Sequence, residues 1–175
     1  MRFIPTKLKG AFIVDLELHE DSRGFFARTF CAREFKEHGL VDVFVQCSAS
    51  MSRQKGTLRG LHFQRAPDWE VKLVRCTAGA IYDVIVDLRP DSPTYLQHFG
   101  VELSAENHRA LYIPKMFAHG LQTLADNTEV FYQISEFYKP DASSGIPYND
   151  PRLQIRWPMV VSSISEKDSA WPLLT

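Results

Sequence analysis

The stretch VKLVRCTAGAIYDVIVD, residues 71–87, decides the fold class of this chain. Lys72 and Arg75 interrupt the apolar residues of its first six positions in a largely alternating order, and a second largely apolar run fills its last seven. Alternation with a period of two is typical of a β-strand that buries one face. Gly79 separates the two runs, and the small residues on either side of it favour a tight turn. The stretch therefore predicts a β-hairpin whose turn is formed by residues 78–80.

Short runs of the same kind recur along the chain and are separated by turn residues, at residues 12–18, 111–113, 121–124 and 130–134. Only residues 33–39 have a helical pattern, because a phenylalanine among charged neighbours is followed by a glycine stop. The proline-rich tail from Lys139 is expected to run as loops over the surface. Many short strands with almost no helix predict an all-β sandwich or barrel.

Length and composition narrow the classes of function. A chain of 175 residues suits one domain, 1–175, with a single core. The formal net charge of -1 argues against a nucleic-acid partner, because polyanion-binding domains carry a basic excess. No apolar run is long enough to span a bilayer, and three widely spaced cysteines suggest no disulfide framework. We therefore expect a cytoplasmic protein without nucleic-acid or membrane partners.

The segment LRGLHFQ, residues 58–64, contains the first candidate for chemistry. Strict alternation places Arg59 on one face of the strand and His62 on the other, together with Gly60 and Gln64. If His62 faces the mouth of a barrel, it is a candidate base, because imidazole titrates near neutral pH.

Other strands are interrupted by single polar residues in the same way, namely Lys72, Asp83, His119 and Tyr132. One buried polar group can be satisfied by a local hydrogen bond. These four side chains and His62 make five polar groups, and five polar groups that point into one cavity would be costly to bury without a ligand. The pattern therefore indicates a polar binding cavity inside the predicted barrel.

Ten short motifs carry a resemblance to a known family. In chain order they are RGFF (23–26), LRGLHFQ (58–64), KLVRC (72–76), DVIVDLR (83–89), SPT (92–94), IP (113–114), FAHG (117–120), NDP (149–151), WP (157–158) and SEKD (165–168). Together they resemble the dTDP-4-dehydrorhamnose 3,5-epimerase family over about residues 10–172. The resemblance implies an antiparallel, cupin-like β jelly roll with a few short peripheral helices. It also implies a homodimer in which a segment near residues 1–30 crosses to the partner.

The same resemblance implies an isomerase that needs no cofactor and acts on a nucleotide-linked 4-keto-6-deoxyhexose, with dTDP as the expected carrier. His62 would be the base, and Asp168 would hold the other nitrogen of its ring. Lys72 would stabilise the enolate oxygen, and Tyr132 would return a proton from the opposite face. Whether C3, C5 or both are inverted stays open at this point.

Substrate contacts also follow from the resemblance. Arg59 and Arg23, the second from the exchanged segment, are expected to bind the diphosphate because guanidinium groups match phosphate oxygens bidentately. For His119 and Asp83, support of the cavity and a plain structural hydrogen bond are both open. The remaining substrate-binding candidates are Gln46, Ser48, Tyr138, Arg28 and His19.

Some positions depart from the family pattern. Relatives usually have Glu at the position of Arg28 and Asn at the position of Ser48. They often have an aromatic or apolar residue at the position of His19. This chain also lacks a Glu that relatives have near the position of Ser144. Arg28 and His19 fall in the segment that the resemblance places against the nucleotide base. A carboxylate accepts a hydrogen bond from thymine N3–H, whereas a guanidinium donates to the N3 and O2 of cytosine. The change predicts weak or inverted discrimination against CDP, and neutral drift at a tolerant rim is the alternative.

Three other functions stay open alongside this one. A single-site epimerase acting on a CDP-linked or other nucleotide sugar would use the same residues. A metal-dependent cupin oxygenase needs two histidines one residue apart, but Gln64 takes the second position and leaves only His62 and His119. We therefore expect no metal site. A non-catalytic sugar-binding cupin would not depend on His62 or Tyr132.

Overall fold

The computed structural model describes residues 1–174, which form thirteen short β-strands and two short helices. The elements in chain order are β1 (Arg2–Pro5), β2 (Phe12–Asp15), β3 (His19–Asp21), β4 (Gly24–Phe26), α1 (Ala32–Glu37), β5 (Gln46–Ser52), β6 (Leu58–Gln64), β7 (Lys72–Ala78), β8 (Ala80–Asp87), β9 (His98–Ser104), β10 (Ala110–Ile113), β11 (Phe117–Thr123), β12 (Thr128–Ile134), β13 (Ser143–Gly145) and α2 (Glu166–Ser169). Neither helix is long and apolar enough to cross a membrane.

Two antiparallel sheets make up the body of the fold. Their strand orders are β1-β2-β10-β7-β12-β5 and β13-β6-β11-β8-β9. Apolar side chains from both sheets meet in a buried cluster that includes Val74 and Val130 from the first sheet and Ile85 and Leu121 from the second. This arrangement confirms the predicted antiparallel jelly roll with few helices. The two sheets therefore form the opposite walls of the cavity between them.

The predicted hairpin at residues 78–80 is wrong. A turn is present, and Gly79 has φ +73°, but β7 lies between β10 and β12 in the first sheet. Strand β8 lies between β11 and β9 in the second sheet. The chain therefore passes from one sheet to the other at Gly79, close to Thr128 at the start of β12. Alternation shows which face of a strand is buried and does not identify the strand that pairs with it.

Strand β6 contains a β-bulge that reverses the predicted phase of its side chains. His62 pairs with His119 and Arg59 pairs with Leu121, so β6 has two residues where β11 has one. At this point Gly60 has φ +111°, a conformation that favours glycine. Because of the extra residue, Arg59 and His62 line the same cavity, and the expectation that they lie on opposite faces is wrong.

Two further stretches differ from the prediction in extent. Strand β2 ends at Asp15, so the predicted strand over residues 12–18 is too long. The tail after Lys139 is mostly irregular, as predicted, but it contains β13, which pairs with β6, and the short helix α2. The Ser165 hydroxyl caps α2 by accepting a hydrogen bond from the backbone N–H of Asp168 at 3.1 Å. This cap fixes the helix turn that presents the Asp168 side chain.

Asp87, at the end of β8, is fully buried and anchors the loop to β9. Its carboxylate accepts hydrogen bonds from the side chains of Arg89, Ser92 and Thr94 at 2.6 to 2.8 Å. Burial by itself would raise the pKa of Asp87, but these donors outweigh it and hold the pKa well below its usual range. The ionised form is therefore more stable in the folded state than in the unfolded chain.

This network should make stability depend on pH. Because the folded pKa of Asp87 is depressed, its stabilisation is present above the ordinary carboxyl pKa of about 3.9 and is lost as the pH falls further. The Asp87→Asn variant is expected to lose about 3 kcal/mol near neutral pH, and the difference from wild type should shrink in acid. Thermal unfolding followed by circular dichroism checks this. Asp91→Asn, at an exposed site in the same loop, is the control. A difference that stays constant with pH would contradict the assignment.

Candidate active site

A cavity of about 430 Å³ lies between the two sheets. Its volume is in the range of small-ligand sites. Nine of the thirteen predicted site residues line it: Gln46, Ser48, Arg59, His62, Lys72, His119, Tyr132, Tyr138 and Asp168. The cavity is also lined by side chains outside the set of predicted site residues, including Ser50, Glu70, Ser165 and Lys167.

His62 and Asp168 form a hydrogen-bonded pair at the wall made by β6. The Nε2 atom of His62 lies 2.6 Å from Oδ1 of Asp168, and Oδ2 accepts the backbone N–H of Gly60 at 3.1 Å. Burial opposes ionisation of Asp168, but these contacts outweigh it and hold its pKa below the usual value. Because an ionised carboxylate can only accept, Nε2 carries the proton, and Nδ1 is the ring nitrogen with a free lone pair.

The short helix α2 brings Asp168 to the cavity from a position 106 residues beyond His62. Trp171, just after the helix, packs so closely on Gly145 of β13 that a Cβ there would lie 2.3 Å from the indole ring. Lys167 lies over the same ring, with its Nζ 5.4 Å from the ring centroid. These contacts dock the helix on β13, the strand that pairs with β6, and so fix Asp168 relative to His62.

Lys72 reaches the cavity from β7 in the opposite sheet. Its strand neighbours in register are Ile113 of β10 and Ile134 of β12, which offer it no polar side chain. Its ammonium lies 2.8 Å from Oε1 of Glu70, and the two side chains are only 12% and 11% exposed. The sequence does carry a signal for Glu70, since residues two apart on an extended chain point to the same side.

Tyr132 projects from β12, also in the sheet opposite His62. Its hydroxyl forms a hydrogen bond with the Ser50 hydroxyl at 3.1 Å, and its ring meets His119 edge to face at 6.2 Å. Burial raises the pKa of Tyr132 to about 12. The phenol is therefore protonated at neutral pH and is available as a proton donor.

A second histidine–carboxylate pair lies deeper in the molecule. His119 Nε2 is 2.7 Å from Oδ1 of Asp83, which is fully buried. The imidazole borders the cavity, but Asp83 does not. Asp83 therefore contacts His119 and is not exposed to the cavity, so its position differs from that of a residue that binds a ligand directly.

Three predicted substrate-binding residues lie away from this cavity. Arg23 forms an ion pair with Asp21 at 2.6 Å in the exposed β3–β4 hairpin. Arg28 lies 3.9 Å from Glu34, and His19 lies on β3 beside it. The fold of one chain thus separates these side chains from the nine that line its cavity.

Hydrogen bonds to neighbouring groups hold the Arg59 and Gln64 side chains that line the cavity. The Arg59 guanidinium is fixed by Ser52 Oγ and by the carbonyl of Met51, both at 3.0 Å. The Gln64 amide is bonded to backbone groups of Asp68, Phe137 and Lys139, so it is not free to bind a metal. Among residues 1–174, no three His, Cys, Asp or Glu side chains are grouped so that they could hold a metal ion.

A jelly roll that holds a histidine–aspartate pair and a buried tyrosine in one cavity has side chains that suit a proton-transfer isomerase. Comparison with known proteins then identifies the family. The family model described as dTDP-4-dehydrorhamnose 3,5-epimerase matches residues 5–175. The chain belongs to this family and is accordingly an epimerase, an isomerase, and not a cupin oxygenase or a non-catalytic binding module.

Individual relatives are similar over nearly their whole length. The dTDP-4-dehydrorhamnose 3,5-epimerase of Methanothermobacter thermautotrophicus is 49% identical over 97% of this chain and 92% of its own. The crystal structure of the enzyme from Bacillus anthracis, with TDP and PPi bound, is 45% identical with a TM-score of 0.96, covering 99% of both chains. The Legionella pneumophila enzyme, in complex with dTDP-4-keto-L-rhamnose, is 42% identical with a TM-score of 0.92, covering 98% of this chain and 92% of the other.

Proposed function

We propose that this enzyme inverts C3 and C5 of a dTDP-linked 4-keto-6-deoxyhexose without a cofactor, in deoxysugar biosynthesis. The observation that carries the proposal is the placement of His62 and Tyr132 on opposite sheets of one cavity. Inversion at carbon needs a base on one face of the sugar ring and an acid on the other. The ligands bound to the Bacillus and Legionella relatives support the choice of carrier and sugar.

The first step is removal of a proton next to the ketone. Nδ1 of His62 takes the proton, the C–H electron pair moves into a new C=C bond, and negative charge develops on the C4 oxygen. Asp168 stabilises the imidazolium that forms. The Lys72 ammonium meets the developing enolate oxygen, where a preorganised donor contributes roughly 3 kcal/mol.

The second step returns a proton from the opposite face. The Tyr132 O–H protonates the carbon, the C4 ketone re-forms, and the configuration at that carbon is inverted. Ser50 is placed to hold the phenol during this transfer. Tyrosinate and imidazolium then exchange protons with water, so the cycle ends with the starting protonation states.

The diphosphate is expected to bind the cations at the rim, Arg59 and Lys167. Gln46 and Tyr138 are coupled next to them, because the Gln46 side-chain oxygen accepts the backbone N–H of Tyr138 at 2.6 Å. We assign this pair, with Ser48, to the nucleotide end of the substrate. His119 faces the sugar and is held there by Asp83.

Deuterium exchange tests the proposed reaction. The enzyme is incubated with dTDP-4-keto-6-deoxyglucose in deuterated water, and NMR follows each ring position against a sample without enzyme. We expect exchange at both C3 and C5. Exchange at one carbon alone would show the single-site epimerase instead, and no exchange above the enzyme-free sample would refute the proposed function.

We also propose that residues 1–175 form one domain and that the chain acts as a homodimer exchanging its N-terminal segment. The β3–β4 hairpin leaves Phe25 48% and Phe26 71% exposed, and exposed aromatic patches mark interaction surfaces. Exchange of this hairpin would bring Arg23, Arg28 and His19 to the partner's cavity.

Sedimentation checks the assembly. We expect a dimer at micromolar concentration and a shift toward monomer for Phe26→Ser. Val160→Ser is the matched control, because Val160 is also apolar and is 91% exposed. A monomeric wild-type protein would contradict the dimer.

The presence of Arg28, where relatives usually have Glu, gives a prediction for the choice of nucleotide. The prediction rests on the expected position of Arg28 near the nucleotide base. Calorimetric titration is expected to show dTDP preferred over CDP by less than about tenfold, equivalent to ~1.4 kcal/mol. Arg28→Glu should raise that preference, whereas Arg33→Glu, at an exposed site on α1, should not. A wild-type preference for dTDP of more than about tenfold would show that the Arg28 argument is wrong.

We place the enzyme in the cytoplasm. A nucleotide diphosphate sugar carries charges that make unaided passage through a bilayer costly. All three cysteines have free thiols, which suits a reducing compartment.

A further inference from the structure

Glu70 adds a carboxylate to the cavity that the proposed mechanism does not use. Its Oε1 lies 2.8 Å from the Lys72 ammonium, and each side chain is almost nine-tenths buried. The pair is therefore shielded from water and salt, unlike the ion pairs on the protein surface. A contact of this kind can hold a flexible side chain in one orientation.

The surroundings of Lys72 leave Glu70 as its carboxylate partner. Its neighbours across β10 and β12 are isoleucines. The other cavity carboxylate, Asp168, is occupied by His62 and the Gly60 N–H, and Asp83 is buried against His119. The remaining ionisable side chains that line the cavity are Arg59, His62, His119, Tyr132, Tyr138 and Lys167, none of which is an anion at neutral pH.

The Lys72 side chain needs such a partner to act as a preorganised donor. Its ammonium sits on a stem of four carbons with rotatable bonds and carries three N–H groups. A donor stabilises a developing oxyanion most when it is already aimed at that oxygen, because no reorganisation is then required during the reaction. Fixing one N–H on Glu70 restricts the directions of the other two.

We propose that Glu70 is a positioning residue that holds the Lys72 ammonium in place for the C4 oxygen of the substrate. The inference rests on the proposed function, in which Lys72 stabilises the enolate. Glu70 acts through Lys72 and takes no proton from the sugar.

A double-mutant cycle tests this role with deuterium exchange at C3 as the readout. In the wild-type background, Glu70→Gln keeps the size of the side chain and removes its charge. We expect kcat for exchange to fall about tenfold while KM stays within about twofold, because the lost interaction matters in the transition state. In the Lys72→Met background, the same Glu70→Gln change is expected to alter the rate by less than about twofold.

The outcomes separate this inference from the function itself. A wild-type enzyme without exchange would defeat the proposed function. With wild-type exchange present, an equal loss from Glu70→Gln in both backgrounds, or no loss in either, would overturn the role of Glu70 alone. Glu70→Ala, which removes the acceptor as well as the charge, repeats the cycle if the glutamine variant does not fold. Thermal unfolding of each variant identifies such a failure.

Discussion

The His62→Asn variant is expected to exchange deuterium into the sugar about 10³-fold more slowly than wild type, since a positioned general base contributes roughly 10²–10⁴-fold. Asparagine is close to histidine in size but has no group that takes up a proton near neutral pH. His62 is the histidine with both access and a carboxylate partner: its side chain is 42% exposed, against 6% for His119. Its loss should therefore remove the base.

The Asp168→Asn variant tests the same pair from its other side. An asparagine can donate its amide N–H to Nε2, which moves the ring proton to Nδ1 and removes the free lone pair from the base. A large fall in rate with unchanged thermal stability is expected for Asp168→Asn.

The control for His62→Asn is His38→Asn, which changes an exposed histidine at the end of α1 and should leave the rate unchanged. A His62→Asn rate within tenfold of wild type would show that another group is the base.

The Gly60→Ala variant is expected to be destabilised by at least about 4 kcal/mol and to lose activity. A methyl group there would lie 2.6 Å from the Cα of Gly120 and 2.7 Å from the carbonyl oxygen of His119. Both contacts are with backbone that cannot rotate away, and the φ of +111° adds strain for any residue with a Cβ. Urea unfolding and deuterium exchange measure the two losses.

Gly39→Ala separates the clash from the backbone strain. Gly39 also has a positive φ, of +69°, but no atom lies within 4 Å of the position that its Cβ would take. We expect this control to cost only about 1 kcal/mol and to retain activity. Similar unfolding midpoints for the two variants would show that the close approach of β6 and β11 is unimportant.

Local alternation predicts seven of the thirteen strands in residues 1–174, namely β2, β6, β7, β8, β10, β11 and β12, but not the other six and not the strand pairing. Runs near β10, β11 and β12 were recognised because burial of one face is a local property of the sequence. The residues around Gly79 predict a hairpin because a hairpin and a corner between sheets use the same small residues. Only contacts with strands distant in sequence, such as β12, distinguish the two.

The sequence predicts which residue types line the candidate site better than it predicts how they are arranged in space. Single polar residues on apolar strands identified Lys72, His119 and Tyr132 as cavity residues. The shared face of Arg59 and His62 was missed, because a bulge depends on the residue count of the partner strand. Glu70 was missed, although it lies two residues before Lys72, because the predicted strand begins at Val71 and excludes it.

The unequal residue count in β6 and β11 makes the active site sensitive to chain length as well as to side-chain identity. Deleting one residue between Arg59 and His62 would restore one-to-one pairing with β11. Every side chain on one end of the strand would then change sides, and either His62 or Arg59 would leave the cavity. A loop of the same protein can gain or lose a residue at little cost. Homologues that keep this chemistry must therefore keep the extra residue in this strand, even where its neighbours differ.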